Sequence, residues 1–131
     1  MATECQDRRS LLVLEEIEET AAVVEMMLNK NGYCVTIART EDDTIARAKC
    51  RPPDLILMSL GTESDRILPA ANRIRECSGI SDEVAIVVFC VETIPQGAEI
   101  QVERNIYLTR PDNFNQLREF LHRLLSNGSA H

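Results

Sequence analysis

The sequence predicts an α/β protein, a doubly wound parallel sheet of five strands with helices on both faces. Three observations lead there. The stretch PPDLILMSL, residues 52–60, holds an apolar run between a proline pair and Gly61, and residues 84–89 (VAIVVF) hold another. Runs of that length without alternation suit strands covered on both faces, as in parallel sheets. Apolar residues at helical spacing fill the stretches around them, so strand and helix patterns alternate, the succession that right-handed crossovers turn into parallel neighbours.

Residues 1–9 are polar and are expected to form a disordered lead-in to a single domain over 10–126. Leu11 to Leu14 make a compact apolar strand followed at once by Glu15 and Glu16. Ile17, Ala21, Val24 and Leu28 share one helical face, and Asn31 with Gly32 close that helix. Tyr33 to Ile37 alternate and favour a second strand. Thr40 with Asp43 approximates a capping box for a helix over Ile45, Ala46 and Ala48 that has to stop before Pro52. The third strand runs to Leu60 and carries Ser59 at its carboxyl end.

The loop GTESDR leads into a helix marked by Ile67, Ala71 and Ile74, with Pro69 tolerated near its start and Gly79 at its end. Val84 to Phe89 form the fourth strand. Val91 to Arg104 is predicted to supply the next helix, short or distorted because Pro95 and Gly97 oppose it. Asn105 to Thr109 read as a fifth, edge-like strand containing Tyr107, with Arg110 and Pro111 directly after it. Asn113 caps the last helix, whose stripe is Phe114, Leu117, Leu121 and Leu124; Asn127 and Gly128 are expected to end it and leave 127–131 as a frayed tail. Strand order 2-1-3-4-5 would bring the carboxyl ends of the first, third, fourth and fifth strands to one rim, where such sheets bind ligands.

A length of 131 residues suits one domain that buries roughly two-thirds of its unfolded surface. The net charge of -7 repels polyanions, so no nucleic acid and no membrane is expected as a partner. Five scattered cysteines without a CxxC pair read as reduced, small apolar residues of a cytosolic protein. No apolar run reaches the roughly 18 residues of a membrane span, and no signal-peptide pattern opens the chain, so a cytoplasmic location is expected. The five glycines never cluster into a phosphate-cradling loop.

From Gly32 to Leu60 the chain reads GYCVTIARTEDDTIARAKCRPPDLILMSL, and with the acidic pair Glu15-Glu16 ahead of it this resembles the receiver domain of two-component response regulators, of the chemotaxis-regulator kind, over about residues 11–125. The resemblance implies the flavodoxin-like receiver fold. It places Glu15 and Glu16 at the acidic pair that holds a divalent ion and Ser59 where the family has its phosphoacceptor aspartate. Cys90 falls at the hydroxyl residue after the fourth strand, Tyr107 at the switch aromatic, and Arg110 before Pro111 at the lysine. Asp65-Arg66 stands where the family has Asp-Gly. Only the aromatic is retained among the chemically committed positions, which marks a degenerate pseudo-receiver.

A carboxylate attacks a phosphohistidine donor already ionised, whereas the hydroxyl of Ser59 needs a base. Magnesium wants several carboxylate or phosphate oxygens in a tight shell, so Glu16 and the Gly61 carbonyl are weak ligands and neither metal nor cofactor is expected. Two glutamates about 4 to 5 Å apart repel by about 3 to 4 kcal/mol at an effective dielectric near 20. Arg110 is placed to bridge them. Cys90 lacks a base to make it a nucleophile, since His122 belongs to the last helix and His131 to the tail.

These readings converge on a non-enzymatic, stand-alone receiver-like domain of phosphorelay signalling that binds a protein partner, such as a histidine kinase or another regulator, or a second copy of itself. Two alternatives stay open: an atypical but phosphorylatable regulator, and a small nucleotide-binding α/β protein.

Overall fold

The computed structural model describes residues 9–59, 64–89 and 93–129. The expectations for residues 1–8, for Gly61 and Cys90, and for 130–131 fall outside the described residues. The elements run β1 (Ser10–Glu15), α1 (Glu18–Lys30), β2 (Cys34–Ala38), α2 (Glu41–Cys50) and β3 (Leu55–Ser59). After a turn of 3-10 helix at Ser64–Arg66 come α3 (Ile67–Ser78), β4 (Ala85–Val88), β5 (Glu99–Glu103), β6 (Ile106–Thr109) and α4 (Phe114–Ser129).

One sheet runs through the domain in the order β2-β1-β3-β4-β6-β5. Its first five members pair in parallel, and β5 pairs with β6 antiparallel. The expected five-stranded parallel sheet in order 2-1-3-4-5 is thus corrected to a mixed sheet of six strands. The extra strand occupies the stretch expected to be helical. Pro95 and Gly97 break any helix there, and the residues that follow, EIQVE, alternate with a period of two around β-branched Ile100 and Val102. Asn105 then turns the chain with φ 57, a left-handed conformation that asparagine tolerates better than other side-chain-bearing residues. A bulge between Gln101 and Glu103 absorbs one residue of register. As a result the strand bearing Tyr107 lies inside the sheet, and β5 is the edge.

Strand alternation divides the core between two faces. Leu12, Leu14, Ile56, Met58, Ile86 and Val88 meet Ala48 of α2 and Ile67, Ala70, Ala71 and Ile74 of α3. Leu11, Val13, Leu55, Leu57 and Val87 meet Val24 and Leu28 of α1 and Leu117, Phe120 and Leu121 of α4. Leu55 to Met58 are wholly inaccessible, so the continuous apolar run is explained by cover on both faces.

Local signals hold the helices in place. The Thr40 hydroxyl accepts a 3.0 Å hydrogen bond from the Asp43 amide, and Asn113 Oδ1 accepts one of 2.9 Å from the Gln116 amide. Gly79 ends α3 at φ 73, a left-handed cap that any Cβ would strain. Ile17 departs from its expected place on the core face: it caps α1 in an extended conformation and is 58% exposed. The last helix continues through Asn127 and Gly128 to Ser129. Cys34 is disulfide-bonded, against the expectation of reduced thiols throughout, while Cys50 and Cys77 are free and exposed.

Candidate functional site

Two residues of the expected constellation meet because β1 and β3 are adjacent and in register. Glu15 and Ser59 are Cα partners at the carboxyl ends of those strands. Glu15 is buried at 3% exposure; its Oε2 accepts a 3.1 Å hydrogen bond from the Ile17 amide, and its Oε1 has no hydrogen-bond partner among the described residues. An orphaned oxygen in a buried carboxylate is costly, by about 1–3 kcal/mol. Ser59 is half-buried beside it. Glu16 points outward, and its carbonyl accepts a 2.7 Å hydrogen bond from Arg39 Nη2.

Arg110 lies on the same rim, immediately after β6, but its bridging role is not realised. Its Nη1 donates to the Ile94 carbonyl at 3.2 Å, and among the described residues no ion pair joins it to Glu15 or Glu16. The physical reason is the hairpin: Gly97 and Ala98 bond to the Arg110 backbone, which ties this position to the loop carrying Ile94. Pro111 follows in the half-buried turn before α4.

Tyr107 is not brought to this rim. Its ring packs edge-to-face on Phe120 at 5.7 Å and 82°, and its hydroxyl donates to Asn105 Oδ1 at 3.1 Å. It lines a cavity with Leu55 and Ala85, the first residues of β3 and β4, and therefore faces the opposite end of the sheet from Ser59. Cys90 and Gly61 lie outside the described residues.

Arg75 of α3 has a structural part that sequence reasoning misses. It donates from Nη1 to the Ser81 carbonyl at 2.9 Å and from Nη2 to the Val84 and Asn105 carbonyls at 3.0 and 3.2 Å. Burial lowers its pKa, with Asp82 opposing the shift. An arginine late in an amphipathic helix, with Arg73 two positions before it, gives no sequence signal for such a clamp. The edge strand does leave one, in the alternation of EIQVE.

Several solved structures are similar to this chain in fold. The N-terminal domain of a response regulator/sensory box/GGDEF 3-domain protein from Carboxydothermus hydrogenoformans is 26% identical over 93% of this chain and 98% of that chain, with a TM-score of 0.69. A sensor protein from Polaromonas sp. JS666 is 21% identical over 92% of this chain and 98% of that chain, with a TM-score of 0.72. The receiver domain of a sensor histidine kinase from Pseudomonas aeruginosa PAO1, which has a magnesium ion coordinated in its active site cleft, is 22% identical over 91% of this chain and 98% of that chain, with a TM-score of 0.69. No protein-family model and no curated protein sequence matches the chain. The chain has the flavodoxin-like receiver fold, and the solved domains it resembles are signalling domains rather than enzymes. Among the described residues no helix is long and apolar enough to cross a membrane.

Proposed function

We propose that this chain is a receiver-like domain of two-component signalling that acts by binding a protein partner without passing through a phosphorylated state. The observation that supports it most is the register of Ser59 with buried Glu15: a hydroxyl occupies the carboxyl end of β3, where receivers attack the donor with a carboxylate. A serine hydroxyl has to lose a proton during attack, and an ester formed there lacks the ready hydrolysis that resets an acyl phosphate. The donors around it fit magnesium poorly. Glu15 offers one oxygen and Glu16 points outward; among the described residues no three acidic, histidine or cysteine side chains gather to hold an ion. Arg110, whose Nη1 donates to the Ile94 carbonyl, occupies the position of the family's lysine.

A docking role finds support on α1, where Val23 and Met26 are 49% and 54% exposed on the face away from the sheet. The partner class is a histidine kinase or another regulator, and a second copy of the chain would use the same exposed residues. The charge of -7 disfavours polyanionic partners. A cytoplasmic location belongs to this reading, and there the Cys34 disulfide would stand reduced. The test is partner affinity measured against a purified histidine kinase of the same organism, with and without acetyl phosphate and magnesium. Binding that is unchanged by the donor and by Ser59→Ala, and lost in Val23→Asp/Met26→Asp, supports the proposal. Binding that appears only after the donor is added, and only with Ser59 present, contradicts it.

A further inference from the structure

We propose that α1 pairs with α1 of a second copy of this chain, antiparallel across a two-fold axis. This deepens the docking role given to α1 above and rests on that reading, naming the chain itself as an occupant of the face. Ala21, Val24 and Leu28 turn one side of the helix to the sheet. At about 100° per residue, those within about 60° of Met26 on the opposite side are Glu19, Ala22, Val23, Asn29 and Lys30. All of these are exposed, Val23 at 49% and Met26 itself at 54%. The stripe is apolar in the middle and carries opposite charges at its two ends. Among the described residues neither the Glu19 nor the Lys30 side chain makes a hydrogen bond or an ion pair.

That arrangement is complementary to itself in one direction only. Antiparallel pairing centred on the apolar patch sets Val23 against Met26, Ala22 against Met27 and Glu19 against Lys30 of the second copy. Each contact then occurs twice, as a two-fold interface requires. Parallel pairing in register sets Glu19 against Glu19 and Lys30 against Lys30, with repulsion at both ends. Small Ala22 in the seam suits the close approach of packed helices, about 8–10 Å between axes. Glu18 and Glu25, the other acids of the helix, lie about 80° and 100° from Met26, on its flank and outside the seam. The charge of -7 on each chain opposes association. At about 0.15 M salt the Debye length is about 8 Å, which screens that long-range repulsion more than it screens side chains in contact. A helix of 13 residues is about 20 Å long, so the contact is small and the dimer dissociates readily. Pairing covers Val23 and Met26, so a chain in the dimer does not offer them to a kinase or regulator, and concentration sets the share of chains free to dock.

Sedimentation equilibrium of the full chain alone, at about 0.15 M salt and from about 10 µM to 1 mM protein, tests the pairing with no kinase present. A monomer–dimer equilibrium with a Kd of about 100 µM is expected. Glu19→Lys or Lys30→Glu alone sets like charges together at both ends and should weaken dimerisation about tenfold or more. Glu19→Lys/Lys30→Glu restores opposite charges there and should recover the wild-type affinity. The inference is overturned if the chain stays monomeric to about 1 mM, if the single variants dimerise as tightly as the wild type, or if the double variant does not recover. A monomeric chain whose kinase binding is still lost in Val23→Asp/Met26→Asp overturns the dimer alone. A dimer that is rescued by the charge exchange, with kinase binding indifferent to those substitutions, supports the pairing and overturns the docking reading.

Discussion

Replacing Arg75 by methionine removes a guanidinium while keeping most of its stem, and the loss is predicted to be large for a residue that is not fully buried. Three backbone carbonyls, those of Ser81, Val84 and Asn105, lose a charged donor at 2.9 to 3.2 Å. A hydrogen bond to a charged donor contributes about 1.5–3 kcal/mol when well formed. Two of the three share one nitrogen, and water can reach part of the site, so the sum is discounted to about 2–3 kcal/mol. For a domain of this length that corresponds to a fall in Tm of about 10 °C. Arg75→Lys, with one compact charge and no fork, should recover about half. The assay is equilibrium urea unfolding together with amide hydrogen exchange. Exchange should accelerate first at β6, because the clamp holds the turn at Asn105. A change below about 0.5 kcal/mol, within the range of ordinary surface substitutions, would refute the reasoning.

Asn105→Ala should cost about 2 kcal/mol in thermal unfolding, because it strains a backbone at φ 57 and removes bonds to the Asp82 carbonyl and the Tyr107 hydroxyl; Asn105→Gly should recover the strain alone. Burial raises the Tyr33 pKa above 10.0, against the lowering charges of Arg118 and Arg9. The unfolded chain then loses that proton first, so stability is full below about pH 10 and falls as pH rises through the folded value. Tyr33→Phe should flatten this alkaline loss in urea unfolding series between about pH 9 and 11. Ser59→Asp sets a second carboxylate against Glu15 and should lower stability by about 2 kcal/mol without divalent ions. Millimolar magnesium should restore that loss in a thermal-shift series and leave the wild-type Tm unmoved.

The strands buried on both faces are legible in the sequence because such burial leaves no polar residue in Leu55–Met58 or Ala85–Val88. Capping residues are legible too, since Thr40, Gly79 and Asn113 act on neighbours a few positions away. The hairpin is not. Its strand alternates over only five residues, and the resemblance that covers the rest of the chain argues for a helix there. Everything depending on that hairpin is displaced with it. Tyr107 lies inside the sheet instead of at its edge, and the Arg110 guanidinium reaches the Ile94 carbonyl instead of the acids. The adjacency of Glu15 and Ser59 escapes this displacement because it depends only on β1 and β3. The Cys34 disulfide cannot be read from spacing, since scattered cysteines carry no record of which ones fold together.

The central claim is chemical, that a hydroxyl at the end of β3 does not take over the work of a carboxylate. Intact-mass spectrometry after incubation with a phosphorylated histidine donor and magnesium tests it most directly. An unmodified chain is expected at every time point, alongside a conventional receiver that gains one phosphoryl group from the same donor. A stoichiometric phosphoryl group mapped to Ser59 would contradict it.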